Sequence, residues 1–287
     1  MAFILPQVLE SAYQQCETLA RSHYENFPVA SLMLPKGLRR PIAVIYAFAR
    51  QADDIADEGH ALPEVRSQQL DSYWKSLADI QNGIPATEPL FIALQDIFKN
   101  HPELPITLLF DLLRAFKQDI IKHDYQNFDE VLAYCRYSAN PIGRLLLHLT
   151  HQATDQNLRY SDAICTSLQL INFLQDLRSD LLERNRCYLP QDEMTAFNLY
   201  PDMFKMGIEI DMMQKFIAKQ LERIQGLFDF GTLLGKQLTG LFGFEIRLII
   251  AGGQKIIDAL YKRNSIYERP RLKAWQWLPL FWYALMG

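Results

Sequence analysis

The sequence predicts an all-α protein. No stretch alternates apolar and polar residues with the period of two that a half-buried strand needs, no β-hairpin dipeptide of weight occurs, and long segments carry apolar residues at helical spacing. Roughly ten to thirteen helices are expected. The chain has 287 residues, 49% hydrophobic and 22% charged, which suits one large or two small globular domains. No Ser/Gly/Pro-rich linker or low-complexity run divides it, so a single domain over residues 1–287 is expected.

Residues 8–25 read as a first helix that stops at Asn26-Phe27-Pro28, because a residue preceding proline avoids the helical region. A loop from Ser31 to Gly37 leads into Pro41-Ile42-Ala43-Val44-Ile45-Tyr46-Ala47-Phe48-Ala49, whose lone proline stands at its start, where a helix tolerates it. A helix this apolar belongs in the interior. Continued through residue 57, it puts Asp53 and Asp57 on one face, roughly 6 Å apart. Two carboxylates there repel each other unless a cation intervenes. Arg50, three residues before Asp53, faces the same way and suits either a salt bridge to Asp53 or Asp54 or a contact to a substrate phosphate.

Gly59 to Pro63 reads as a turn and Glu64 to Gln81 as a surface helix containing Tyr73 and Trp74. After a Pro-rich connection at 83–89, helical patterns cover 90–99 and 105–122. Phe128 to Tyr137 is a helix that Ser138-Ala139-Asn140-Pro141-Ile142-Gly143-Arg144 interrupts before Leu145 resumes the pattern. A proline inside an apolar helix costs about 3 kcal/mol and kinks it. Small residues around such a kink also make room for a ligand. His148 and His151 are three apart, but no third ligand stands nearby and a polar helix face explains both.

Leu168 to Asp180 repeats the earlier form: an apolar helix runs into Asp176 and Asp180, again four apart. One such pair is ordinarily a solvated face. Two of them, each ending a strongly apolar helix, supply four hard oxygen donors of the kind Mg²⁺ shares with substrate phosphates. The residues therefore predict a helical cavity with two facing acidic rims that clamp a diphosphate through Mg²⁺. Leu181 to Pro190 leaves through a basic, aromatic loop, and 208–230 and 237–264 give two long helices. The tail, 274–286, holds three of the four tryptophans. It fits a terminal helix packed on the bundle or a membrane-surface contact, since Trp and Tyr favour the bilayer interface.

Composition excludes several classes. Lys and Arg number 29 against 33 Asp and Glu, a net charge of −4, and no basic block tracks a nucleic-acid backbone, so nucleic acid is not an expected partner. Cys16, Cys135, Cys165 and Cys187 are far apart and form no Cys-x-x-Cys, which argues against zinc and disulfides and for a reducing cytosol. The N-terminus lacks the features of a signal peptide, and no apolar run reaches the ~18 residues that span a bilayer. A soluble or peripheral protein is expected.

These motifs together resemble the squalene and phytoene synthase family of prenyltransferases over nearly the whole chain. Tyr46 to Glu58 is similar to the family's first aspartate-rich motif and Gln169 to Asp180 to its second; the Tyr134-Cys135 helix and the Arg186-Cys187-Tyr188-Leu189-Pro190 exit also match. Within the family, the likeness is to the bacterial hydroxysqualene synthases of the hopanoid pathway. His23 to Ser31 and Ser138 to Arg144 resemble stretches of that branch, as does Gln175 where relatives usually carry Arg.

The resemblance implies an all-helical fold with an apolar channel for prenyl chains. It implies Mg²⁺, as several ions with diphosphate, on Asp53, Asp57, Asn172, Asp176 and Asp180. It implies catalytic roles for the four aspartates, Tyr134 and Asn140, and substrate contacts from Ser31, Arg50, Gln169, Asn172, Gln175, Arg186 and Tyr188. Asn140 suits either the positioning of a quenching water or packing at the kink. The reaction implied is ionisation of presqualene diphosphate and capture of the cation by water, without nicotinamide. Arg269 or Arg271 matches a late substrate-binding arginine, and Gly252 and Gly253 stand near the place of a C-terminal tyrosine of some relatives. A cytoplasmic enzyme, peripheral on the inner membrane face beside membrane-bound pathway enzymes, follows from the apolar substrate. The rivals are a head-to-head condensing enzyme acting on farnesyl or geranylgeranyl diphosphate, and a non-catalytic helical scaffold, against which four intact motif aspartates speak.

Overall fold

A computed structural model describes residues 5–22 and 35–286. Ser31 and the 23–31 stretch lie outside the described residues. The chain forms two compact units, residues 1–121 with 144–153, and residues 122–143 with 154–287. The single domain expected over 1–287 is therefore described as these two parts, each by itself.

The first unit contains α1 (Pro6–Ser22), α2 (Lys36–Asp57), α3 (Pro63–Gln81), α4 (Pro89–Asn100) and α5 (Thr107–Ile121). In α1, Ala12, Tyr13, Cys16 and Ala20 are buried at a spacing of three to four, forming one apolar stripe against α2 and α4. Tyr13 Oη donates to Asp96 Oδ2 at 2.7 Å, tying α1 to α4. Helix α2 is the core of this unit: Val44, Ala47, Phe48 and Ala52 are fully buried. It begins at Lys36, five residues before Pro41, so the proline expected at its start lies inside it. Pro41 has no N–H to give the carbonyl of Gly37, and the helix tolerates this in its second turn. Pro63 and Pro89 stand in the first turns of α3 and α4, where the missing donor costs nothing.

The second unit contains α6 (Phe128–Ser138), the start of α7 (Asn140–Leu149), α8 (Asp155–Gln175), α9 (Leu177–Glu183), α10 (Gln191–Ala196), α11 (Pro201–Lys205), α12 (Asp211–Thr232), α13 (Leu234–Gln237), α14 (Gly240–Lys262) and α15 (Trp277–Met286), with a 3₁₀ turn at Ala274–Gln276. Helices α8, α12 and α14 pack on one another through glycines. A Cβ on Gly253 would lie 2.8 Å from the Phe228 ring and 3.0 Å from Leu168 Cδ2, and one on Gly231 would lie 2.9 Å from Ile164 N.

Besides the position of Pro41, the elements differ from the sequence expectation in their number, in two short strands and in the form of residues 128–149. Fifteen α-helices stand among the described residues, more than expected, because α10, α11 and α13 have six, five and four residues, too few for a period to show. Two short strands are present, β1 (Asp124–Tyr125) and β2 (Cys187–Pro190), paired in parallel with a register shift. Four residues hold no readable alternation. Finally, residues 128–149 are two helices instead of one kinked helix. The break falls at Ala139, with φ −118° and ψ −48°, so Pro141 enters the first turn of α7, where no backbone bond is lost. No helix among the described residues is long and apolar enough to cross a membrane.

Candidate active site

The first acidic pair sits in the last turns of α2, with Asp53 and Asp57 both partly buried. Ala52 and Ala56, small and buried beside them, let the helix pack closely there. Arg50 bonds Asp54 Oδ1 and Glu58 Oε1, each at 2.6 Å. Of the two pairings expected, the structure thus has Asp54. Burial works against the charge of Arg50, but the carboxylates of Asp54, Asp53 and Glu58 outweigh it and raise its pKa. Arg66 fixes the exit of the helix, donating to the carbonyls of Ala56, of Gly59 at 2.7 Å and of Ala61 at 3.0 Å. A cation at a helix C-terminus also complements the dipole. Tyr73 Oη donates to Gln51 Oε1 at 2.9 Å, so α3 buttresses the motif from the side.

The second pair lies at the junction of α8 and α9. The expected continuous helix through 180 is interrupted at Asp176, with φ −104° and ψ 10°. Spacing survives the break, because Asp180 N still donates to Asp176 O at 2.8 Å, and Asp176 N to Asn172 O at 2.8 Å. The carboxylates are therefore still one turn apart. Arg269 holds Asp176 with two bonds, Nε to Oδ1 at 2.6 Å and Nη2 to Oδ2 at 2.9 Å. Burial nevertheless raises the pKa of Asp176, against the lowering pull of Arg269, Arg184 and Arg271. Arg184 lies 3.3 Å from Asp180.

A strap from α14 to α15 closes over this junction. Arg263 Nη1 donates to Leu174 O at 3.1 Å, and Gln175 Nε2 to Pro270 O at 2.6 Å. Gln175 is thus bound to backbone. Of Arg269 and Arg271, the first is the one in direct contact with the motif. Asn172 is exposed and Gln169 partly buried on α8.

Behind the second motif is an aromatic cluster. Tyr188 of β2 stacks on Phe173 of α8, with centroids 3.8 Å apart and planes 3° apart. Tyr134 lies 5.5 Å from Tyr188, and Tyr125 5.6 Å from Tyr188. A narrow cavity of about 20 Å³ adjoins it, bordered by Val131, Leu170, Phe173, Tyr188 and Ile224. Arg186 is buried at the entry to β2, and its N–H donates to Asp180 O at 3.0 Å. Asn140, also buried, accepts from Thr166 Oγ1 at 3.0 Å and so joins α7 to α8.

Sequence reasoning missed Tyr125, Phe173, Arg184 and Thr166. Phe173 and Arg184 were visible, one facing inward on α8 and the other four residues from Asp180; Tyr125 and Thr166 carry no motif. Among the described residues, no three His, Cys, Asp or Glu side chains gather as a metal-holding group.

The family model for squalene/phytoene synthase matches residues 20–277. The chain belongs to the squalene/phytoene synthase family. A hydroxysqualene synthase of Zymomonas mobilis is 40% identical over 266 residues, 92% of this chain and 88% of the relative. A phytoene synthase of Mycobacterium tuberculosis is 33% identical over 186 residues, 65% and 60% of the two chains. The crystal structure of squalene synthase HpnC from Alicyclobacillus acidocaldarius superposes with a TM-score of 0.82 at 35% identity, covering 93% of this chain and 98% of that one. As a squalene/phytoene synthase family member, the protein is a prenyltransferase-type enzyme, and the family acts on prenyl diphosphates.

Proposed function

We propose that this enzyme is a hydroxysqualene synthase of the squalene and hopanoid route, converting presqualene diphosphate and water into hydroxysqualene and diphosphate. The observation that carries the reading is an Asp-x-x-x-Asp pair at the end of an apolar helix in each unit, Asp53 and Asp57 beside the Arg50–Asp54 bridge in one, and Asp176 and Asp180 bridged by Arg269 and Arg184 in the other. The choice of product rests on the likeness to a hydroxysqualene synthase over 92% of the chain and on Gln175 and Asn140, which match that branch.

The donor set fits magnesium: carboxylates are hard oxygen ligands, and pairs one turn apart leave room for waters and phosphate. In one unit Asp53 and Asp57 would be the magnesium ligands, and in the other Asp176 and Asp180 with Asn172. Bound there, Mg²⁺ supplies positive charge where the leaving diphosphate gathers negative charge. The chain's own residues do the rest. Arg50, Arg186 and Arg269 add charge-assisted hydrogen bonds to diphosphate oxygens. The C–O bond breaks, the electron pair leaves with the diphosphate, and the π faces of Tyr134, Phe173 and Tyr188 favour the cation. Apolar walls delay water until rearrangement is complete. Water then forms the new C–O bond and gives up a proton, so no hydride donor is required. Gln169 and Tyr188 orient the prenyl chain, and Asn140 orients the water. Ser31 is assigned to substrate by resemblance. We place the enzyme in the cytoplasm, at the inner membrane face beside other enzymes of the route.

A second reading, condensation of two prenyl diphosphates, is favoured by the match to a phytoene synthase. Incubation with Mg²⁺ and presqualene diphosphate in ¹⁸O-labelled water, without nicotinamide, separates the two. A labelled C30 alcohol lost in D53N and D176N supports water capture. Consumption of farnesyl diphosphate with no labelled alcohol moves the enzyme to the condensing branch.

A further inference from the structure

Helix α15 has two unlike faces, yet neither is polar. Its sequence, Trp277-Leu-Pro-Leu-Phe-Trp-Tyr-Ala-Leu-Met286, carries no charged residue. Leu280 and Ala284, four apart, are buried on the inward side. Arg247 Nε donates to Ala284 O at 2.8 Å, and Phe281 meets Phe244 edge-on at 5.0 Å, so the helix is fixed to α14. The outward positions follow the same period: Leu278 is 72% exposed, Trp282 62% and Leu285 58%, with Trp275 at 69% just before them. A helix whose outer face meets only water is normally polar there. This one spends large aromatic and aliphatic groups on it, which marks a contact surface.

The strap before it tells what the contact is. From Lys262 to Lys273 the chain carries Lys262, Arg263, Arg269, Arg271 and Lys273 against one acid, Glu268. Lys262, Arg271 and Lys273 are exposed. A basic strap leading into a Trp/Leu/Phe face has the charge and side-chain order of a segment that rests on an anionic bilayer, with cations at the headgroups and aromatic rings at the acyl boundary. A second copy docked face to face would oppose its own positive strap.

We infer that the outward face of α15, with the exposed cations of the 262–273 strap, is a docking surface for an anionic lipid bilayer. The inference gives a place and a lipid charge to the membrane contact proposed above, and it holds whichever product the enzyme makes. The same strap holds Asp176 through Arg269 and Gln175 through Pro270. Docking therefore occurs one short connection from the second acidic motif.

The full-length protein is floated with phosphatidylglycerol/phosphatidylcholine vesicles and with pure phosphatidylcholine vesicles, and its mass in solution is measured by light scattering. We expect flotation with the mixed vesicles only, weakened by raising the salt and about tenfold by L278E/L285E or by K262E/K273E. Melting temperatures should match the wild type, since all four side chains point outward. No flotation of the wild type, or equal flotation of the variants, overturns the inference. So does a wild-type dimer that L278E/L285E splits without any vesicle binding, because the face then belongs to a second copy.

Discussion

Arg269 occupies both carboxylate oxygens of Asp176, at 2.6 and 2.9 Å. A metal ion at Asp176 must take oxygen from that arginine. We predict that R269A, without diphosphate, binds Mg²⁺ several-fold more tightly, because it loses both a competitor and a repelling charge, worth about 1 kcal/mol at a partly exposed site. Its affinity for diphosphate should fall. Titration by calorimetry checks both; unchanged Mg²⁺ affinity would remove Asp176 from the ligand set.

Asn140 and Thr166 form a buried pair. Truncating Asn140 to Ala leaves the Thr166 hydroxyl without that acceptor and should cost about 1–3 kcal/mol of stability. T166V removes the bond from the other side and should leave the product unchanged. If Asn140 orients the quenching water, N140A alone lowers hydroxysqualene yield at matched folded fraction. An N140A enzyme making only hydroxysqualene at full rate would confine Asn140 to packing.

Tyr188 is almost buried against Phe173. Y188A should destabilise by about 3 kcal/mol in denaturant melts, the range for a large aromatic truncation, whereas Y188F keeps the stack. A fall in kcat/KM for Y188F at wild-type stability would assign the hydroxyl to substrate. Wild-type kinetics would leave the ring as its whole contribution.

Glu193 accepts from Arg223 at 2.6 Å and from Gln220 at 2.8 Å, with Lys219 at 3.3 Å. Burial opposes its charge, yet these partners prevail and its pKa lies below the ordinary glutamate value of 4.5. A depressed acid adds stability that is complete above the unfolded value and disappears as pH falls through the folded one. E193Q should therefore cost about 1–2 kcal/mol near neutral pH and progressively less as the pH drops below about 4.5. A constant deficit down to pH 3 would refute the linkage.

Gly253 and Gly226 should respond oppositely to alanine. The Phe228 ring lies where a Gly253 side chain would go, while nothing stands within 4 Å of one on Gly226. G253A should lose about 1–3 kcal/mol and G226A gain about 0.5–1 kcal/mol, the latter from helix propensity alone. Paired thermal melts decide this.

The all-α class was legible because α2, α8, α12 and α14 are long enough to show their period. Arg50, Asp53 and Asp57 announced themselves by spacing along one helix, and Asp176 and Asp180 by the same spacing, which survives the break between α8 and α9. What escaped was non-local or too short: β1 and β2 gain meaning only from each other, across sixty residues of chain. The break at Asp176 left no signal either, since Gln175-Asp176-Leu177 holds neither glycine nor proline. Arg269 stands 93 residues from Asp176, and only folding distinguishes it from Arg271.

The first unit is not a continuous piece of chain. It takes residues 1–121 and then 144–153, a segment that includes the buried Leu145, Leu147 and Leu149. A ribosome that has released only the first 121 residues has therefore not yet delivered three of that unit's buried leucines. The N-terminal unit must wait for residues 122–143 of its neighbour to be synthesised first, so its core is complete only when residue 153 has been made, and a gene truncated at residue 121 would encode an incomplete core.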